Sequence, residues 1–183
     1  MVCVECNTKS KQNLKSLNMC HSCGKKLDKY MQANDALKYI DILLLKEQVF
    51  NHELLNVEIT SLRYAKFLLL YILTKLVVPC NFKRQIMKDL FYILLLKISL
   101  TKIRFFNLSF AIFFSSFFSY FKIVFMFLNY EHVAYDRILE FLDFCSNVCA
   151  IKSLEKNYFS IFSGFILSKM LSLALLEYKE INI

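Results

Sequence analysis

A mainly α-helical membrane protein with a small four-cysteine head is the fold class this chain predicts, and three observations predict it. Four of its seven cysteines stand in two Cys-x-x-Cys pairs within the first 24 residues. Its 183 residues are 57% hydrophobic with 19 phenylalanines, more apolar side chain than a soluble core of this size can hide. The excess gathers in long runs after residue 60, so it is expected to face lipid.

The head comes first. Cys3 with Cys6 and Cys20 with Cys23 can each grip one edge of a tetrahedral ion, and Zn²⁺ bound by four thiolates is the pattern this spacing fits. Thirteen residues, Asn7 to Met19, separate the pairs. Gly24, one of only two glycines, follows the second pair, and Asn7 follows the first. Both residue types suit the left-handed backbone that a metal knuckle needs. His21 lies between two thiols, but four thiolates complete the shell without it. The module is expected to be zinc-ribbon-like over residues 1–63, to hold one structural zinc, and to fold only with it. The first 30 residues are polar and basic with no secretory signal, so this head is expected in the reducing cytosol.

A helix is expected next, from Asn34 or Asp35 as cap to about Phe50. Leu37, Ile40, Leu43 and Leu44 form its apolar stripe, with Lys38, Asp41 and Gln48 on the other side. The stripe reads as a packing face against the knuckles or the membrane surface.

Residues 64–183 form the expected membrane domain. About four transmembrane helices are expected, near 62–78, 86–100, 105–128 and 158–176. The first two are apolar runs interrupted by lysines that can snorkel, and a re-entrant or interfacial placement also fits them. Phe105 to Phe121 carries no charge and is the clearest span. The fourth has Gly164 inside and Lys169 as its only charge. Between the last two, residues 129–157 mix Asp136, Arg137, Glu140 and Asp143 with aliphatics, the pattern of an amphipathic surface helix. Lysine placement puts both termini in the cytosol, with the Pro79 to Asp89 turn as the misfit. Cys80, Cys145 and Cys149 read as small apolar residues. Lys75, Lys97, Lys122 and Lys169 read as snorkelling side chains or, if they share a groove, as a seat for anionic headgroups.

Other function classes find little support. Net charge is +8, but the lysines are spread along the chain beside apolar runs, so no nucleic-acid partner is expected. No phosphate-binding glycine loop or nucleophile motif is present, and a zinc with four protein thiolates has no open position for substrate. No catalytic residue is assigned. Cys-His-Ser-Cys lacks the Asp-His-His-Cys order of membrane acyltransferases, and a RING ligase needs ligands for two zinc ions where this head supplies one set.

The residues that follow the cysteines carry a resemblance. Cys3, Cys6, Cys20, Cys23, Asp28, Tyr30, Ile40, Asp41, Leu43, Leu44, Leu45, His52 and Asn56 occur in the order and at spacings similar to the homology domain of the Arv family. Gln32 and Asn34 stand where that family usually has acidic residues, and Asn51 where it commonly has arginine. The resemblance implies a multi-pass protein of the endoplasmic-reticulum membrane that mediates sterol and sphingolipid homeostasis. The implied means are lipid transport or translocation, glycosylphosphatidylinositol precursors included, or else non-catalytic scaffolding of a membrane-bound lipid biosynthetic enzyme. Tyr30, Asp41, His52 and Asn56 are the expected contacts with lipid or partner, and His52 and Asn56 would share a helical face one turn apart.

Overall fold

A computed structural model describes residues 1–9, 19–77, 82–128 and 133–155, with 161, 163, 164 and 166. The chain divides into two compact units, Met1–Thr60 and Ser61–Ile183.

In the first unit the two cysteine pairs sit on matching turns. Asn7 N–H donates to Cys3 O at 2.9 Å and Gly24 N–H to Cys20 O at 2.8 Å. Each turn is closed by one antiparallel bridge, Val2 with Lys9 and Met19 with Lys26, and no longer strand forms among the described residues. A 3₁₀ turn at Lys29–Gln32 leads to α1, Asp35–Leu43, capped by the Asn34 side chain on Ala36 N–H.

The single helix expected to Phe50 is two helices. Leu45 adopts φ 53°, and its N–H bonds Ile42 O at 2.9 Å while Lys46 N–H bonds Asp41 O at 3.0 Å. That left-handed residue ends α1 as a glycine ordinarily would. α2, Glu47–Asn51, then starts in a new direction and widens into a π turn at His52–Asn56. The break lets Val49 and Phe50 be fully buried beside Val4 and Tyr30.

The stripe on α1 is turned the other way from the expected knuckle packing. Leu37, Ile40, Leu43 and Leu44 are 47, 52, 42 and 61% exposed, whereas Asp41 and Ile42 are buried. Asp41 can be inside because Tyr30 and Lys46 hold its carboxylate.

The second unit is a helical bundle of α3 (Ser61–Val77), α4 (Phe82–Ser99), α5 (Phe105–Ser115), α6 (Tyr120–Phe127) and α7 (Val133–Leu154). Tyr71, Ile93, Leu96, Leu108, Ile112 and Ile151 share its core. Aromatic rings tie α3 to α5: Tyr64 stacks on Phe106 at 4.5 Å, and Phe67 meets Phe114 edge-on at 5.3 Å.

Ser115 and Ser116 bond back to Ala111 O and Ile112 O, where the helix tightens into a 3₁₀ turn at Ser116–Ser119. The expected surface helix exists as α7: its first turns, with Tyr135, Ile138 and Phe141, are exposed, and its later turns are packed into the bundle. Ser115 bonds Asn147, Ser119 bonds Asp143, and Ala150 and Ile151 are fully buried.

Among the described helices, Phe105–Phe125 alone is long and apolar enough to cross a membrane, with mean hydropathy 1.7 over its apolar window. The four-span expectation is thus matched at one place by length and composition. The first two expected spans fall on α3 and α4, which are helical but interrupted by Arg63, Lys66 and Lys75 and by Lys88, Asp89 and Lys97. Most of the expected fourth span, Cys80 and the tip of the Pro79 turn lie outside the described residues.

A Cβ added at Gly164 would lie 3.0 Å from Ser99 Cβ and 3.6 Å from Leu96, so close approach to α4 depends on the missing side chain. Gly164→Leu is expected to destabilise the second unit by about 1–3 kcal/mol, read as an earlier thermal transition in detergent. An unchanged transition would show that the approach is not needed.

Candidate metal centre

The Sγ atoms of Cys3, Cys6, Cys20 and Cys23 all lie within 4.8 Å of one another. Cys3 and Cys23 are 3.7 Å apart, and Cys6 and Cys20 are 3.6 Å apart. A tetrahedron of sulfurs about 2.3 Å from a central ion has edges of about 3.8 Å, so the four thiols can hold a metal ion. The close pairs run between the knuckles, one sulfur from each. A central ion would therefore lock the two turns together.

Asn7 at φ 56° and Gly24 at φ 69° occupy the left-handed positions that the sequence assigns to them. Nothing lies within 4 Å of a Cβ built on Gly24, so backbone conformation alone selects that glycine. Lys25 Nζ at 3.1 Å and Lys29 Nζ at 3.6 Å reach Glu5 Oε atoms and add a charged tie between the knuckles.

The thiols are unequal before any metal arrives. Hydrogen bonding by the Thr8 hydroxyl, then by backbone N–H groups of Cys23 and Ser22, pulls Cys20 down to about 5. Burial pushes Cys3 up to about 12.

A second polar centre lies behind the knuckles, around Asp28. Its carboxylate is fully buried and accepts from three donors: Tyr30 N–H at 2.9 Å, His52 Nδ1–H at 2.7 Å and Asn56 Nδ2–H at 2.7 Å. Burial alone would raise the Asp28 carboxyl, but the His52 and Asn56 hydrogen bonds outweigh it and hold it below its usual range.

Asn56 also exchanges two 2.8 Å bonds with the Val2 backbone, N–H to Oδ1 and Nδ2–H to O. Asn51, nearly fully buried, donates Nδ2–H to Val4 O at 3.0 Å. Two amide side chains from the second helical segment therefore stand in for a neighbouring strand along the first knuckle.

The four residues expected as lipid or partner contacts are placed inside this network. Tyr30 is fully buried, stacks obliquely on His52 with ring centroids 5.6 Å apart, and donates its hydroxyl to Asp41 Oδ2 at 2.6 Å. Burial would raise Asp41, yet Lys46, at 2.6 Å, and Tyr30 hold its carboxyl low. His52 and Asn56 do share a face, and the face points at Asp28.

Asp28 is the residue that sequence reading did not assign to the site. Its one local signal is position, an aspartate capping Tyr30 N–H at the start of a 3₁₀ turn. Two of the described lysines of the second unit, Lys75 and Lys122, both lie within electrostatic reach of the buried Asp143 carboxylate. Lys75 pairs with Asp89 at 3.1 Å, Lys122 with Asp136 and Glu140, and Lys97 binds the carbonyls of Thr101 and Ile103. Lys169 lies outside the described residues.

The Arv1-like family model matches residues 2–88, which include both cysteine pairs and the whole Asp28 network. Protein ARV1 of Candida albicans is 30% identical over 55% of this chain and 37% of its own length. Protein ARV1 of Homo sapiens is 33% identical over 31% of this chain and 24% of its own length. The chain thus spans well under half the length of these curated relatives. No solved structure matches it.

Asp28→Ala strands three donors in a dry site and is expected to cost the first unit about 3 kcal/mol, measured by chemical denaturation. Asp28→Asn tests the charge. Because the folded carboxyl is held low, its contribution is present above the unfolded value near pH 4 and is lost as pH falls through the lower folded value. Wild type is therefore expected to lose its advantage over Asp28→Asn below about pH 4. A gap that stays constant across this range would remove the charge from the account.

Proposed function

We propose that the chain, which matches the Arv1-like family model over residues 2–88, is a member of that family and serves sterol and sphingolipid homeostasis as a membrane protein of the endoplasmic reticulum. The observation that carries the reading is the enclosed four-thiol cluster joined to an apolar helical unit. Four thiolates at tetrahedral spacing suit one zinc and leave no place for a substrate on it, so the centre is structural.

Zinc supplies folding energy to a unit whose own core is small. Cys3, Cys6, Cys20 and Cys23 hold it, Asp28 fixes the helices behind it, and the head stays on the cytosolic side where thiols remain reduced. The apolar unit handles lipid within the bilayer, by moving sterols, sphingolipids or glycosylphosphatidylinositol precursors between leaflets or membranes.

Purified protein is expected to contain one zinc per chain, and Cys20→Ser to lose it together with the ordered first unit, read by metal analysis and circular dichroism. Full metal retention in that variant would defeat the assignment. Vesicles containing the protein alone are expected to show movement of labelled lipid. Movement that appears only when a second protein is added would replace transport by scaffolding of a lipid biosynthetic enzyme.

A further inference from the structure

α1 is amphipathic in the wrong sense for a soluble module. It buries Asp41 with Ile42 and presents Ala36, Leu37, Ile40, Leu43 and Leu44 outward along one side. These positions recur at helical spacing, so they form one continuous aliphatic strip two turns long. Tyr39 and Met31 flank it at 63% and 57% exposure. The inversion is built in, because Asp41 is anchored inside by both Tyr30 and Lys46 and cannot trade places with the leucines without losing them.

We propose that this strip lies in the surface of an anionic lipid bilayer, with α1 parallel to the membrane plane. The proposal rests on the membrane reading above. Two features of the molecule select lipid as the occupant.

The first is charge. Between residues 25 and 46, Lys25, Lys26, Lys29 and Lys46 are exposed, while the carboxylates of Asp28 and Asp41 are buried. Asp35, the exposed acid of this segment, is paired with Lys38 at 3.2 Å. Glu5 answers Lys25 and Lys29 but is itself mostly covered. The exposed lysines of this segment suit a headgroup layer, and Tyr39 supplies the aromatic edge that favours the interface.

The second is connection. Thr60 is bonded directly to Ser61, which opens α3, and Leu62, Leu69 and Leu76 on that helix are 82, 68 and 58% exposed. A head joined by the short stretch 57–60 to a lipid-embedded unit meets the bilayer surface at high effective concentration, so a short strip is enough to hold it there.

The chain has no tryptophan, so Ile40→Trp places a lone reporter in the middle of the strip. The full-length variant is reconstituted into vesicles of phosphatidylcholine and phosphatidylserine. Blue-shifted emission that is quenched when the phosphatidylcholine carries brominated acyl chains is expected. Adding Leu37→Asp and Leu44→Asp is expected to abolish both effects while metal content and helicity stay unchanged, since these side chains are outside the fold. Water-like emission from vesicle-inserted protein would overturn the proposal. So would blue-shifted emission that bromine does not quench, which would place a protein surface over the strip. Protein that fails to enter the vesicles at all defeats the underlying membrane reading instead.

Discussion

Four sulfur atoms gathered within 4.8 Å constrain everything in the first 60 residues. A segment this short buries too little apolar surface to order itself, and its fully buried large side chains are few: Val4, Tyr30, Val49, Phe50 and Asn51. A central ion held by the four thiols would supply the missing constraint, because each cross-knuckle pair of thiols would fix one turn against the other. The helices then need only one further anchor. Asp28 provides it, since one carboxylate collects the 3₁₀ turn, the π turn and, through Asn56, the first knuckle.

That economy explains the inverted helix. Where apolar volume is scarce, a module can be filled by polar groups that are largely paired, and here Asn51 Oδ1 is the buried exception among the described residues of this unit. Tyr30 and Asp41 do this on one side of His52, and Asp28 on the other. Leucines that would otherwise compete for the interior are released to the surface. Interior polarity and surface aliphatics are thus two sides of one solution, and the strip on α1 is its by-product.

The clustering of the four thiols and both left-handed knuckle positions were legible in the sequence, because Cys-x-x-Cys spacing, Asn7 and Gly24 act over a few residues of chain. The helix break at Leu45 was not, since leucine gives no local sign of φ 53° and the break is fixed by Lys46 closing on Asp41. Asp28 was quoted for its place in a pattern but not as a hub, because its partners lie 24 and 28 residues away. Periodicity located the α1 stripe but could not give its direction: an apolar face marks surface that avoids water, not which neighbour covers it. In the second unit, α7 was legible as a helix. The burial of its later turns was not, because Asp143 and Asn147 look like surface residues until they meet Ser119 and Ser115 across helices.

The arrangement of the sulfurs also bears on redox chemistry. Each close pair joins opposite knuckles at 3.6–3.7 Å, while a disulfide requires about 2.05 Å between sulfurs. Oxidation across the knuckles would require each pair to close by about 1.6 Å. Metal binding needs no such movement, since the tetrahedral edge already matches. The Val2–Asn56 and Val4–Asn51 bonds hold the first turn to the helices. The same bonds that stabilise the fold preserve the spacing on which the metal depends.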